Sequence, residues 1–197
     1  MGSVCARPIA CLLLDRLLLT ARTIELECVI SSRSPLRSTE EAADEALKTQ
    51  SPVAQVALRP ADPADVSILY DWRNDPVTRA YSKNTAEIGW DEHVAWFAAS
   101  LRNPDRRIFI ATAAGASIGV IRGDRGSQGW MLSWSVAPSW RGRGVLKLMI
   151  QAILGQLSGV VRAEIKSANI ASMRAAGSAG LTMTGRNGDL TLWAVNR

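Results

Sequence analysis

The chain has 197 residues, of which 47% are hydrophobic and 21% charged, with a net charge of +5 and a pI near 9.6. That length suits one domain with a full core plus an appendage, and the balance is that of a soluble globular protein rather than a disordered or fibrous one. The positive balance favours a small anionic ligand. Nucleic acid is excluded as a partner, because no stretch interleaves clustered Lys and Arg with aromatic residues as a binding groove would.

The first 52 residues read as an arm. Cys5, Cys11 and Cys28 all lie within it, at spacings that match no metal or redox motif. An odd number of cysteines, with none further on, argues against a disulfide framework and for reduced thiols in a cytoplasmic protein. Ile9 to Thr20 is rich in leucine but is interrupted by Asp15-Arg16. It is too short and too charged to span a bilayer, and it lacks a small-residue cleavage site, so neither a membrane anchor nor a signal peptide is expected. Residues 31–52 are polar and predict a linker holding one short exposed helix. The organisation expected is therefore an arm over 1–52 and a folded domain over 53–197.

Within that domain the elements follow in order. Val56 to Arg59 predicts a first strand. Asp62-Pro63 opens a helix that reaches Trp72, with Pro at a tolerated first-turn position. A second helix starts at or near Asp91 and runs through Leu101. Strands are predicted at Ile108–Thr112, Ser117–Arg122 and Trp130–Val136, then a helix over Val145–Leu154. A strand over 161–166, a helix from Asn169 and a last strand over Leu190–Val195 complete the chain. Three consecutive strands with glycine-containing turns, followed by a strand–helix–strand unit, imply an α/β arrangement in which helices flank a mixed sheet.

Residues 134–146 read Trp-Ser-Val-Ala-Pro-Ser-Trp-Arg-Gly-Arg-Gly-Val-Leu. Pro138 ends the strand because it has no N–H to donate. Gly142 and Gly144 allow a close backbone approach, and the free N–H groups at the following helix start, with Arg141 and Arg143, suit an anion such as a pyrophosphate. A solvated basic turn opening an ordinary helix has the same sequence.

Arg141-Gly142-Arg143-Gly144, after Val136-Ala137-Pro138 and before a helix, resembles the acetyl-CoA signature of the GNAT acetyltransferases, with Leu146 where the family has Gly or Ala. Asn169, Ser172 and Gly180-Leu181 resemble a second family segment, Asn-x-x-Ser closing on Gly-Phe. Ala176 stands where many members carry a Tyr taken to protonate the leaving thiolate. Trp72-Arg73-Asn74-Asp75-Pro76 and Glu92-His93-Val94-Ala95-Trp96-Phe97 resemble one branch, which includes the amino-sugar acetyltransferases of pseudaminic acid synthesis and the ribosomal-protein N-terminal acetyltransferases. The resemblance covers roughly residues 53–197. It implies a GNAT fold: a mixed, mostly antiparallel sheet of about six to seven strands flanked by about four helices.

The resemblance also implies an acetyl-CoA-dependent N-acetyltransferase acting on a small-molecule amine, most simply a nucleotide-linked amino sugar, as a monomer or homodimer without metal. Acylation of a protein N-terminus and a module that binds acyl-CoA without turnover are the alternatives. Trp134, Ser135 and Val136 would lie along the pantetheine arm. Arg141, Gly142, Arg143, Gly144, Val145 and Leu146 would surround the pyrophosphate, with Asn169 and Ser172 contacting the cofactor from the next helix. Asn169 also suits a helix N-cap. Trp72, Arg73, Asn74 and Trp96 would face the acceptor, where tryptophans stack on rings, although core packing explains any one of them.

Acetyl transfer needs a neutral amine near the carbonyl carbon and a donor for the carbonyl oxygen. His93, the only histidine, is a candidate base because its ordinary pKa lies near neutrality. It also sits three and four residues before Trp96 and Phe97, the spacing of a packed helix face. The strand Trp130–Val136 has no Asp or Glu, so Ser133 or water would relay the proton.

Overall fold

Arg59 reaches from the first strand to Asp65, donating from both terminal nitrogens to the two carboxylate oxygens at 2.7 and 2.6 Å. Asp65 also accepts from the Asp62 backbone N–H while the Asp62 side chain accepts from Ala64, so a reciprocal cap starts the helical region at the expected residue. The structure is a computed structural model and describes residues 55–197; the cysteines, the leucine-rich run and the polar linker lie outside the described residues.

The described residues form seven strands: β1 Ala57–Pro60, β2 Arg106–Ala113, β3 Ala116–Gly126, β4 Gly129–Val136, β5 Val160–Lys166, β6 Thr182–Asn187 and β7 Leu190–Asn196. Five α-helices accompany them: α1 Val66–Asn74, α2 Pro76–Tyr81, α3 Trp90–Leu101, α4 Val145–Leu154 and α5 Ile170–Ser178. The sheet order is β1-β2-β3-β4-β5-β7-β6, and β4–β5 is the parallel pair among antiparallel neighbours. This is the mixed α/β sheet that the order of elements implied.

Two elements go beyond the sequence reading. α2 raises the helix count above about four; it is a six-residue helix whose start is set by Asp75, which caps Thr78, and by Pro76 at its first position. β6 is an edge strand with one half-buried residue, so it carries no apolar alternation to read. The helix expected from Asp62 to Trp72 is a short 3₁₀ turn, Pro63–Asp65, followed by α1.

The sheet has two differently covered faces. On one, α4 and α5 pack over Ile121, Leu132, Val161, Ala163 and Ile165. α4 contributes Val145, Met149, Ile150, Ile153 and Leu154, all buried. At roughly 1.5–3 kcal/mol per buried apolar side chain, that seam holds the helix although nothing caps its N-terminus. On the other face, Leu69 and Trp72 of α1 and Phe97 of α3 cover Ile108 and Ile110 of β2. Further along this second face the sheet is polar, with Ser133, Ser135, Arg162, Glu164 and Lys166 in place of core residues.

Candidate active site

β4 and β5 pair at Trp130–Val161, Met131–Arg162 and Leu132–Ala163, and no further. They close at this end because Gly129, at φ 98°, has no β-carbon; one placed there would collide with the Val160 carbonyl oxygen. Beyond Leu132 the strands diverge. Ser133–Val136 stay paired to β3, while their β5-facing edge, unpaired among the described residues, offers backbone groups to an added chain. Glu164–Lys166, paired to β7, form the other lip of the notch.

The notch ends at the turn before α4. Gly142 and Gly144 have φ 76° and 75°, a left-handed conformation that glycine adopts without a Cβ penalty, and nothing lies within 4 Å of where a β-carbon would stand. Among the described residues no side chain caps α4, so its first N–H groups remain available to a ligand, and the helix dipole adds partial positive charge there. Arg143 is exposed at the turn with its guanidinium 5.1 Å from the Trp140 ring. Val145 is buried and offers only backbone to the turn, and Leu146 leans on the core rather than over the glycines.

Arg141 departs from the sequence expectation. Its Nη2 donates to Asp75 at 2.6 Å and to the Thr78 hydroxyl at 3.0 Å, so it ties the turn to α2 instead of standing free for a phosphate. Arg141 and the Thr78 amide hold the Asp75 carboxyl below the usual carboxylate range, against an opposing contribution from burial.

Across the notch, Asn169 caps α5 by accepting from the Ser172 N–H at 3.1 Å. Trp134 spans from β4 to this helix, its indole N–H donating to the Ser172 hydroxyl at 3.2 Å. The Ser172 proton is then free to be donated elsewhere. Ala176 is 0% exposed and packed into the core, which leaves no room there for a Tyr ring.

The acceptor-side block acts differently from the expectation. Trp72 is 6% exposed and packs into the core with Leu69 and Phe97, so it offers no ring to a ligand. Asn74 exchanges two 2.9 Å hydrogen bonds with the Ile88 backbone, and Arg73 donates to the Asn84 carbonyl at 2.8 Å. Both are occupied in pinning the segment between α2 and α3. Burial, with the nearby charge of Arg79, lowers the Arg73 pKa. Trp96 is 39% exposed and Trp90 is also exposed, and both remain available as ring surfaces.

His93 is 2% exposed and its ring stacks on Phe97 at 6.2 Å and 8°. Its Nε2 lies 3.1 Å from the Val66 carbonyl, which requires the proton on that nitrogen, and Nδ1 is buried with no hydrogen-bond partner among the described residues. Burial pushes its pKa down; the Val66 carbonyl opposes this and Arg73 adds to it. A core imidazole of this kind joins α1 to α3 and cannot receive a proton from an entering amine, which corrects the reading of His93 as a base.

Segment 75–83 crosses the notch from the acceptor side. The Thr78 and Ser135 hydroxyls lie 3.2 Å apart, Lys166 donates to the Ala80 carbonyl at 3.1 Å, and Lys83 pairs with Glu164. Ser133 is exposed beside this strap. Asp75, Thr78 and Glu164 join the site only in the fold. The alternation of Val161 to Lys166 places Glu164 on the solvated face and Asp75-Pro76 is a local helix-start signal, while nothing local signals Thr78.

The structure can also be compared with known proteins. A family model described as an acetyltransferase (GNAT) domain matches residues 55–182. No curated protein matches the sequence. Among solved structures the chain is similar to aminoglycoside acetyltransferase AAC(6')-Ib in complex with coenzyme A, at 16% identity and a TM-score of 0.63, over 73% of this chain and 95% of that one. It is similar to a spermidine N-acetyltransferase from Vibrio cholerae in complex with CoA and spermine, at 16% identity and TM-score 0.65, over 72% of this chain and 95% of that one. A domain from Methanocaldococcus jannaschii superposes with TM-score 0.65 at 17% identity, over 73% of this chain and 99% of that one. At such identities these likenesses are of fold.

Proposed function

The chain belongs to the acetyltransferase (GNAT) family, and from that premise we propose that it takes acetyl-CoA as its co-substrate and that residues 53–197 acetylate the primary amine of a small, nucleotide-linked amino sugar. The observation that carries the reading is the notch between β4 and β5, which ends on a glycine turn with two positive φ angles and an uncapped helix. These features fit the group. The free strand edge suits the amide-bearing pantetheine arm, and the turn suits a pyrophosphate. Trp134, Ser135 and Val136 would line the arm; Gly142, Arg143, Gly144 and the Val145 backbone would hold the phosphates, with Asn169 and Ser172 on the opposite lip.

In this reading the amine enters from the α1–α3 side. Glu164, on the facing lip, takes its proton directly or through water, which replaces the His93 route. The amine attacks the thioester carbonyl, and unpaired N–H groups of the β4 edge stabilise the oxyanion. As the C–S bond breaks, the Ser172 hydroxyl donates toward the thiolate. Ser133 lies at the mouth and can orient the acceptor or a relaying water.

The blocks Trp72–Pro76 and Glu92–Phe97 resemble the amino-sugar acetyltransferases and only more loosely the N-terminal ones, which supports a sugar over a peptide acceptor, as do the exposed rings of Trp90 and Trp96. The positive charge points the same way. Residues 55–197 carry 17 Lys and Arg against 11 Asp and Glu, which suits an anionic acceptor better than a polycation. The buried Ala176 favours a second reading, a module that binds acyl-CoA without turnover. A coenzyme A release assay over amino sugars, their phosphates and N-terminal peptides decides between them. Thiol release with sugars is expected, release with peptides alone moves the assignment to N-terminal acetylation, and binding without release with any amine selects the module.

A further inference from the structure

We propose that Arg122, seconded by Arg106, anchors a phosphate group of the acceptor; this rests on the transferase reading above. Arg122 stands opposite Ser133 in the β3–β4 register, and Ser133 is the first residue past the last β4–β5 pair. It is therefore the β3 cation nearest the notch on the side from which the amine enters, whereas the β5 cations Arg162 and Lys166 are engaged by Gln128 and the Ala80 carbonyl. Any acceptor whose amine reaches the notch from that side lays its remainder over Arg122 or over the strap at 75–83.

The surroundings hold this arginine ready for an anion. Asp124 receives Nε of Arg106 at 2.6 Å and Nε of Arg122 at 2.9 Å. Arg106 also donates to the Ser100 hydroxyl at 2.7 Å. Two guanidiniums thus share one carboxylate and keep a surplus positive charge. Among the described residues the Arg122 guanidinium makes no hydrogen bond: its Nε is buried without one and meets Asp124 as an ion pair. Both guanidinium carbons lie 5.8 Å from the half-exposed Trp96 ring. An indole beside two oriented guanidiniums offers a stacking face next to a fork for phosphate oxygens. Burial and the neighbouring Arg106 both act against the charge on Arg122, with Asp124 opposing them, and a bound phosphate would relieve both. A purely structural strut would need only the Asp124 contact and would be indifferent to the acceptor's charge.

The test compares glucosamine 1-phosphate with glucosamine in coenzyme A release. The wild type should favour the phosphate in kcat/KM by about tenfold or more, as expected of charge-assisted hydrogen bonds. Arg122→Gln should bring that ratio close to one through KM, whereas Arg125→Gln, which stacks on Trp130 at the opposite face, should keep the wild-type ratio. A wild type without preference, or an Arg122→Gln enzyme that keeps it, overturns the anchor. Should Arg122→Gln fail to fold by its melting curve, Arg122→Lys removes the fork but not the charge. A several-fold fall in the ratio then supports the anchor, and an unchanged ratio overturns it. Acetylation of neither sugar counts against the sugar acceptor proposed above and is separate from the anchor. The anchor is then read by calorimetry with UDP on protein saturated with coenzyme A: binding weakened about tenfold by the Arg122 variant supports it, and absent or unchanged binding overturns it.

Discussion

At the residue scale, His93 shows how burial decides a role. Its imidazole is enclosed by Phe97, Trp96 and Tyr70, at ring separations of 6.2, 5.8 and 5.5 Å. The folded pKa is depressed below about 6.5, so the unfolded chain binds the proton more readily than the folded one. The stability this neutral ring contributes is complete above that unfolded value and declines as pH falls through the folded pKa. Because it is the only histidine, the decline in the window that opens below about pH 6.5 should be assigned to it, at up to ~1.4 kcal/mol per pH unit. Chemical denaturation across that window should show the slope in the wild type and lose it in His93→Phe, while loss near pH 4, from Asp65 and Asp75, persists in both. The two arginines of the turn separate in the same way. Arg143 is exposed and Arg141 is engaged by Asp75, so Arg143→Ala should weaken coenzyme A binding more than Arg141→Ala, by several-fold in calorimetry. Arg141→Ala should instead lower the melting temperature, since it leaves Asp75 without its cation.

At the element scale, the site is the product of one pair of strands that begin together and part. Three residue pairs hold β4 to β5, and Gly129 permits the approach that aligns them. Gly129→Ala would need both a left-handed alanine and a shifted Val160, so it should cost more than about 2 kcal/mol and narrow the denaturation margin accordingly. If the variant folds, coenzyme A affinity should fall with it, because the notch is defined by where pairing stops. A melting temperature equal to the wild type would show that the strands close without this glycine. The neighbouring strap has the opposite character: α2 is short and is held by side chains, namely Asp75, Thr78, Lys83 and Lys166, rather than by a buried apolar face.

At the scale of the whole molecule, charge and chemistry separate along the chain. The first 54 residues carry six Lys and Arg against seven Asp and Glu, so the net positive charge belongs to residues 55–197. The family model matches residues 55–182, and every motif of the family resemblance also lies downstream of residue 52. Removal of residues 1–52 should therefore leave circular dichroism, melting temperature and coenzyme A affinity close to those of the full chain. A truncated protein that is unfolded would make the arm part of the folding unit.

The sequence by itself determined the sheet-and-helix order, because alternation in the strands and the apolar seam of α4 are local patterns that any packing must satisfy. It also marked the glycine turn, since Gly142 and Gly144 announce a backbone that other residues avoid. Neither α2 nor β6 was legible: one is made by a cap and a proline over six residues, the other by pairing at an edge that asks nothing of side-chain polarity. Tertiary structure alone decided the roles. Which face a tryptophan meets, whether a histidine is enclosed and whether an arginine finds a carboxylate 66 residues away are set by long-range packing. Trp72, His93 and Arg141 were thus assigned otherwise, while Asp75, Glu164 and Arg122 acquired their places only when the strands diverged.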